Sequence, residues 1–88
     1  MDNQTIAQKL REYAAQLARE GESLYRVRAY RQAVLTVQSL TRPLTELVAE
    51  EGRAGLEALP GFGRSLAYTI EGLVRTGEFR TRRERRCA

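Results

Sequence analysis

The sequence predicts an all-α domain, a compact bundle of four to five short helices, and three observations carry that expectation. Apolar residues recur at helical spacing in every block, no stretch alternates with a period of two, and Gly or Pro stands where each periodic run stops. With 88 residues the chain holds one small domain, and no internal repeat divides it.

The first block places Ile6, Leu10, Tyr13, Ala14 and Leu17 on one helical face, with a cap expected at Asp2 or Asn3 and an end at Gly21. A second helix is expected from about Leu24 to Leu40, with Ser23 as N-cap and Val27, Tyr30, Val34, Val37 and Leu40 as its stripe. Pro43 suits the first turn of a short third helix, whose apolar edge is Leu44, Leu47 and Val48 before Gly52. Another short helix is expected from about Arg53 to Ala58. The breaker cluster Leu59-Pro60-Gly61-Phe62-Gly63 follows, and Leu66, Ala67, Ile70, Leu73 and Val74 mark a last helix up to Gly77. The folded domain is therefore expected over residues 1–78. Residues 79–88 hold Phe79 and a run of arginines, and they read as a basic, disordered tail.

Composition removes much chemistry. Histidine and tryptophan are absent and Cys87 is the one cysteine, which excludes His-based triads, Cys/His zinc sites and internal disulfides. That disfavours an enzyme, and Cys87 reads as incidental. No apolar run approaches the ~18 residues needed to cross a bilayer, and MDNQTIAQKL has neither the basic nor the apolar region of a leader, so a cytoplasmic protein is expected.

The net charge of +4 is distributed in blocks. Residues 1–22 set three bases against four acids, and residues 23–42 carry Arg26, Arg28, Arg31 and Arg42 with no acid. Residues 43–63 hold Arg53 among four acids, and residues 64–88 set seven arginines against three acids. A fold that joins the two basic blocks would make one anion-facing surface.

The Pro-Gly-Phe-Gly turn is the natural centre of such a surface. Gly61 and Gly63 permit positive φ and carry no Cβ, so main-chain N–H groups can reach a phosphate oxygen. The last helix starts there, and its N-terminal N–H groups around Gly63, Arg64 and Ser65 favour an anion, with Arg64 adding a full charge. Phe62, between the glycines, would plug the turn into the core. An isolated Gly-x-Gly is, by itself, more often an ordinary corner between helices.

The wider pattern is more specific. Tyr25-Arg26-Val27-Arg28-Ala29-Tyr30-Arg31-Gln32-Ala33, then Leu59 to Ala67, then Ile70-Glu71 and Thr76-Gly77 resemble the N-terminal helix-hairpin-helix domain of family X DNA polymerases, the polymerase beta type. The resemblance spans roughly Asn3 to Phe79. It implies one helix-hairpin-helix motif that grips a DNA backbone through Gly61, Phe62, Gly63, Arg64 and Ser65, and a basic pocket for a downstream 5′-phosphate at gapped or nicked DNA. Arg26 and Tyr30 fall on that pocket, with Arg28 and Arg31 beside it. It also implies a monovalent cation, Na+ or K+, on the backbone carbonyls of Glu57, Leu59 and Phe62; no other cofactor is expected.

Two departures bear on activity. The family's 5′-deoxyribose phosphate lyases form a Schiff base through a lysine that falls here at Thr69, and a phosphate-binding lysine falls at Ser65. Lys9 is the only lysine in the chain, and guanidinium does not form the imine. A residual lyase is thus disfavoured, and the polymerase domain is absent from these residues.

Some residues keep two readings. Arg28 and Arg31 are a solvated helix face or DNA contacts, and Tyr30 serves the core alone or the core and a phosphate. Tyr25 and Tyr68 fit part-buried packing better than stacking on a base. Glu71 fits an exposed i,i+4 pair with Arg75, and Arg80 to Arg86 either attract phosphate or belong to a linker. The expectation is a monomeric, non-sequence-specific DNA-binding module for repair or replication, working beside a polymerase or repair protein. The alternative is a protein-interaction or structural module that kept the fold. Fourteen arginines to one lysine suggest a bacterial, nucleoid-associated setting.

Overall fold

The computed structural model describes residues 2–77. Four helices follow in order: α1 (Asn3–Arg19), α2 (Leu24–Ser39), α3 (Leu44–Glu57) and α4 (Arg64–Thr76). No strand occurs among the described residues, as the absence of alternation requires. The expected basic tail and Cys87 lie outside the described residues. No helix among the described residues is long and apolar enough to cross a membrane.

The helices pack in two pairs, α1 on α2 and α3 on α4. Their stripes meet in one core, in which Ile6, Leu10, Leu17, Val27, Val37, Leu44, Leu56, Ile70 and Leu73 are fully buried. Tyr13 and Tyr30 meet edge to face across α1 and α2, with ring centroids 5.1 Å apart.

Each helix end has an identifiable cause. Asp2 caps α1 by accepting the Thr5 N–H at 2.7 Å. That backbone bond holds the Asp2 carboxyl below its ordinary range. At the other end Glu22 N–H donates to the Leu17 carbonyl at 3.0 Å and Gly21 N–H to Ala18 at 3.2 Å, the paired bonds of a Schellman closure. Ser23 caps α2 by accepting the Arg26 N–H at 3.3 Å.

Pro43 corrects one expectation. Its ψ of 135° is extended, so it is the N-cap residue of α3 and not the first residue of the helix. Proline brings no capping side chain, and the cap comes from 41 positions away. Asn3 Oδ1 accepts the Leu44 N–H at 2.8 Å while Asn3 Nδ2 donates to the Arg42 carbonyl at 2.9 Å. One side chain thereby ties the start of α1 to the start of α3.

The two short helices expected on either side of Gly52 are present and run on without a gap as the two arms of α3, with a sharp kink at that residue. Gly52 has φ 64° and ψ −154°, a conformation open essentially to glycine, and it re-aims the last turn of α3. Gly55 lets that turn pack closely, because a Cβ there would lie 2.8 Å from the Glu51 Cβ. The kink brings Arg53 and Glu57 to the side of the molecule where the hairpin lies.

Candidate nucleic-acid interface

An open groove of about 960 Å³ runs between the first two turns of α2 and the start of α4. Arg26, Ala29 and Tyr30 form its α2 wall, one face of the helix by their three- and four-residue spacing. Arg53 and Glu57 reach it from the end of α3, while Gly61 and Gly63 form its rim. Arg64, Ser65, Tyr68 and Thr69 of α4 complete the opposite wall. The expected union of two basic blocks therefore occurs here, through Arg26 and Arg64.

The hairpin is shaped from within and pinned from outside. Phe62 N–H donates to the Leu59 carbonyl at 3.1 Å, and Gly61 takes φ 80°, the left-handed turn position that favours glycine. Thr36 Oγ1 on α2 donates to the Pro60 carbonyl at 3.3 Å and holds the turn against that helix. The Phe62 ring is 6% exposed. Phe62 thus anchors the hairpin in the core, and its side chain is not available to a ligand.

Gly63 corrects a second expectation. Its φ is −89° and its ψ −178°, extended backbone that any residue adopts, so positive φ does not select glycine there. A Cβ at Gly63 would meet nothing within 4 Å, so its outward face is clear. Such a surface lets another backbone approach closely.

Side chains cap α1, α2 and α3, from Asp2, Ser23 and Asn3. Among the described residues no side chain caps α4. Its first-turn N–H groups and the positive end of its dipole open on the groove rim, a combination that favours an anion.

The arginines around the groove keep their donors. Arg26 Nη1 lies 3.5 Å from Glu22, an ion pair without a hydrogen bond, and Arg53 Nε lies 3.7 Å from Glu57. Arg64 makes no ion pair or hydrogen bond among the described residues. Tyr30 is 3% exposed and lines the groove. Its hydroxyl makes no hydrogen bond among the described residues, and none of their buried side-chain oxygens is orphaned, so that hydroxyl opens on the groove.

The structure separates some residues that the sequence groups together. Arg28 and Arg31 are exposed and are not among the residues that line the groove. Tyr25 is 85% exposed and not part-buried, because it stands in the first turn of α2, with its side chain at the groove mouth. Tyr68 is part-buried, as expected. Thr69 is 3% exposed and its Oγ1 donates to the Ser65 carbonyl at 3.1 Å, a neutral group tied to its own helix. Glu71 pairs with Arg75 at 3.2 Å, though it is half-buried and not exposed. Of the carbonyls expected to face a monovalent cation, that of Leu59 accepts the Phe62 N–H.

Sequence reasoning missed Arg53. It sits among four carboxylates in the chain, and only the kink at Gly52 carries it to the groove, where its Cζ lies 5.9 Å from the centroid of the Tyr68 ring. Its i,i+4 partner Glu57 was visible; the cross-element contact with Tyr68 was not.

No curated protein matches the chain. Residues 1–79 match the family model described as the helix-hairpin-helix domain, nearly the whole of the chain and all of the described residues. The structure sets a glycine hairpin between its last two helices, and with the match over these residues the chain belongs to the helix-hairpin-helix domain family.

Proposed function

We propose that this protein is a non-sequence-specific DNA-binding module that takes the phosphate backbone in the α2–α4 groove. One observation carries the reading: Arg26 of α2 and Arg64 of α4 line the groove beside a helix start that no side chain among the described residues caps, at a glycine hairpin. Membership of the helix-hairpin-helix family supports DNA as the partner in general. Phosphate contacts of this kind fix position and read no bases.

The finer reading is a preference for gapped or nicked DNA with a downstream 5′-phosphate, as in the polymerase beta type of family X domain. Arg26 and the Tyr30 hydroxyl would take that terminal phosphate, a fork of N–H donors beside a neutral donor. Gly61, Gly63, Arg64 and Ser65 would grip a DNA phosphate backbone at the hairpin. A Na+ or K+ ion on the carbonyls of Glu57, Leu59 and Phe62 would supply a bridge to a phosphate oxygen. The setting would be DNA repair or replication in a bacterial cytoplasm, beside a polymerase or repair protein.

No lyase activity is proposed. Thr69 offers no amine to the groove, and Lys9 lines a separate hollow on α1 with Glu12 and Arg19. Borohydride trapping on abasic-site DNA should yield no adduct.

Leu24 and Leu35, 71% and 59% exposed on the outer face of α2, favour a second reading as a protein-docking module. Fluorescence anisotropy with a gapped duplex separates the two. DNA binding predicts an affinity on the order of micromolar that falls steeply with salt, tighter for a 5′-phosphate than a 5′-hydroxyl. Absence of binding at low salt would reject it in favour of protein docking.

A further inference from the structure

Arg53 leaves α3 and lies over the Tyr68 ring of α4, with Cζ 5.9 Å from the ring centroid. This contact crosses between elements and holds the guanidinium in one place at the groove wall, which reduces the ordering that ligand capture would otherwise require. Glu57, one turn along α3, lies 3.7 Å from Arg53 Nε, close enough for charge attraction but without a hydrogen bond. Arg53 makes no hydrogen bond among the described residues, so all its N–H donors remain for a ligand. Ser65 and Thr69, the α4 groove residues beside Tyr68 and Arg64, are neutral, and Arg53 brings a charge to the same groove from α3.

We propose that Arg53 is a phosphate-binding residue of the groove, which takes a DNA backbone phosphate beside the one held at the start of α4. Tyr68 positions the guanidinium, and Glu57 is its resident counter-ion until DNA takes its place. The inference rests on the DNA-binding reading above. It adds a third arginine to the interface, from the stretch of sequence with the most negative charge.

The test is a salt series of anisotropy titrations with a fluorescein-labelled gapped duplex, on the full chain. Arg53→Ala should weaken binding about tenfold and lower the slope of log affinity against log salt by about one, the loss of a single phosphate contact. Arg53→Lys should restore the slope but not the full affinity, because a flexible ammonium lacks the planar fork. Glu57→Gln should tighten binding a few-fold, and that gain should vanish when Arg53→Ala is also present. Arg53 and Glu57 are both exposed, and a thermal melt checks that each variant stays folded.

If Arg53→Ala keeps the wild-type affinity and slope while Gly63→Ala weakens binding, the role of Arg53 is overturned and the DNA-binding reading stands. If Glu57→Gln gives the same gain with and without Arg53, Glu57 acts through the general field, and its role as counter-ion is overturned. A wild-type chain that does not bind DNA overturns both readings.

Discussion

Arg42, at the turn between α2 and α3, donates hydrogen bonds to Glu50 and to Glu51 and lies 3.6 Å from Glu46. Arg26, Arg53 and Arg64, around the groove, form no side-chain hydrogen bond among the described residues. Both regions gather charge, but the Arg42 corner closes on itself with three carboxylates around one cation, while the groove keeps three cations beside Glu57 and Glu22. Some desolvation lowers the Arg42 pKa, but Glu50, Glu51 and Glu46 outweigh it and raise the guanidinium above its ordinary value. A basic residue is therefore not an anion site by virtue of its charge alone. What decides is whether the fold has already supplied its partners.

The largest effect expected from that difference is at the groove. Replacing Arg26 and Arg64 together by Ala should reduce DNA affinity about a hundredfold, about tenfold for each charge-assisted contact, and leave the melting temperature unchanged. The same measurement on Arg42→Ala should show wild-type affinity.

The two hairpin glycines sharpen the comparison at the next level. Gly63→Ala adds a methyl group into open space on ordinary backbone, so it should melt like the wild type and yet bind DNA about tenfold more weakly. Gly61→Ala forces a side chain into φ 80° and should cost about 1 kcal/mol in chemical denaturation before any DNA is added. Equal effects of the two on stability would contradict the roles assigned to them.

On the other side of the molecule, Asn3→Ala should cost about 1 kcal/mol of stability without change in DNA affinity, because it removes the cap of α3 and the tie to Arg42. A smaller effect separates acid loss at α1 from acid loss elsewhere. The Asp2 pKa is lower in the folded chain than its ordinary 3.8, so its contribution is complete above that value and fades as pH falls through the lower, folded one. Melts at falling pH should show that Asp2→Asn loses less stability than the wild type over this window.

The fold was legible in the sequence because its signals are local. The stripes of Ile6 to Leu17, Val27 to Val37 and Leu66 to Leu73 depend only on spacing along one helix, as do the Asp2 and Ser23 caps. The cap of α3 was hidden, since Asn3 and Leu44 meet only after the helices pack. For the same reason Pro43 looked like a helix residue. Its side chain fits either position, and it is the extended ψ it takes in the folded chain that sets the helix start one residue later.

The site was half legible. Arg26, Tyr30 and the hairpin could be found because their spacing is local and they resemble a known domain, and Arg64 follows from its place beside Gly63. Arg28 and Arg31 could not be separated from Arg26 by charge, although a helical wheel turns them away from it. Arg53 was masked by its acidic neighbours, which the kink at Gly52 divides between two faces of the molecule. Glu50 and Glu51 go to Arg42, and Glu57 goes with Arg53 to the groove.

The most direct test of the central claim is a titration of isotope-labelled protein with a gapped, 5′-phosphorylated duplex, followed by amide chemical shifts. The largest shifts are expected at Gly61 to Ser65 and in the first turns of α2 around Arg26, with the amides from Arg42 to Glu51 nearly unmoved. Shifts centred on Arg42 to Glu51, or spread evenly over all exposed arginines, would contradict it.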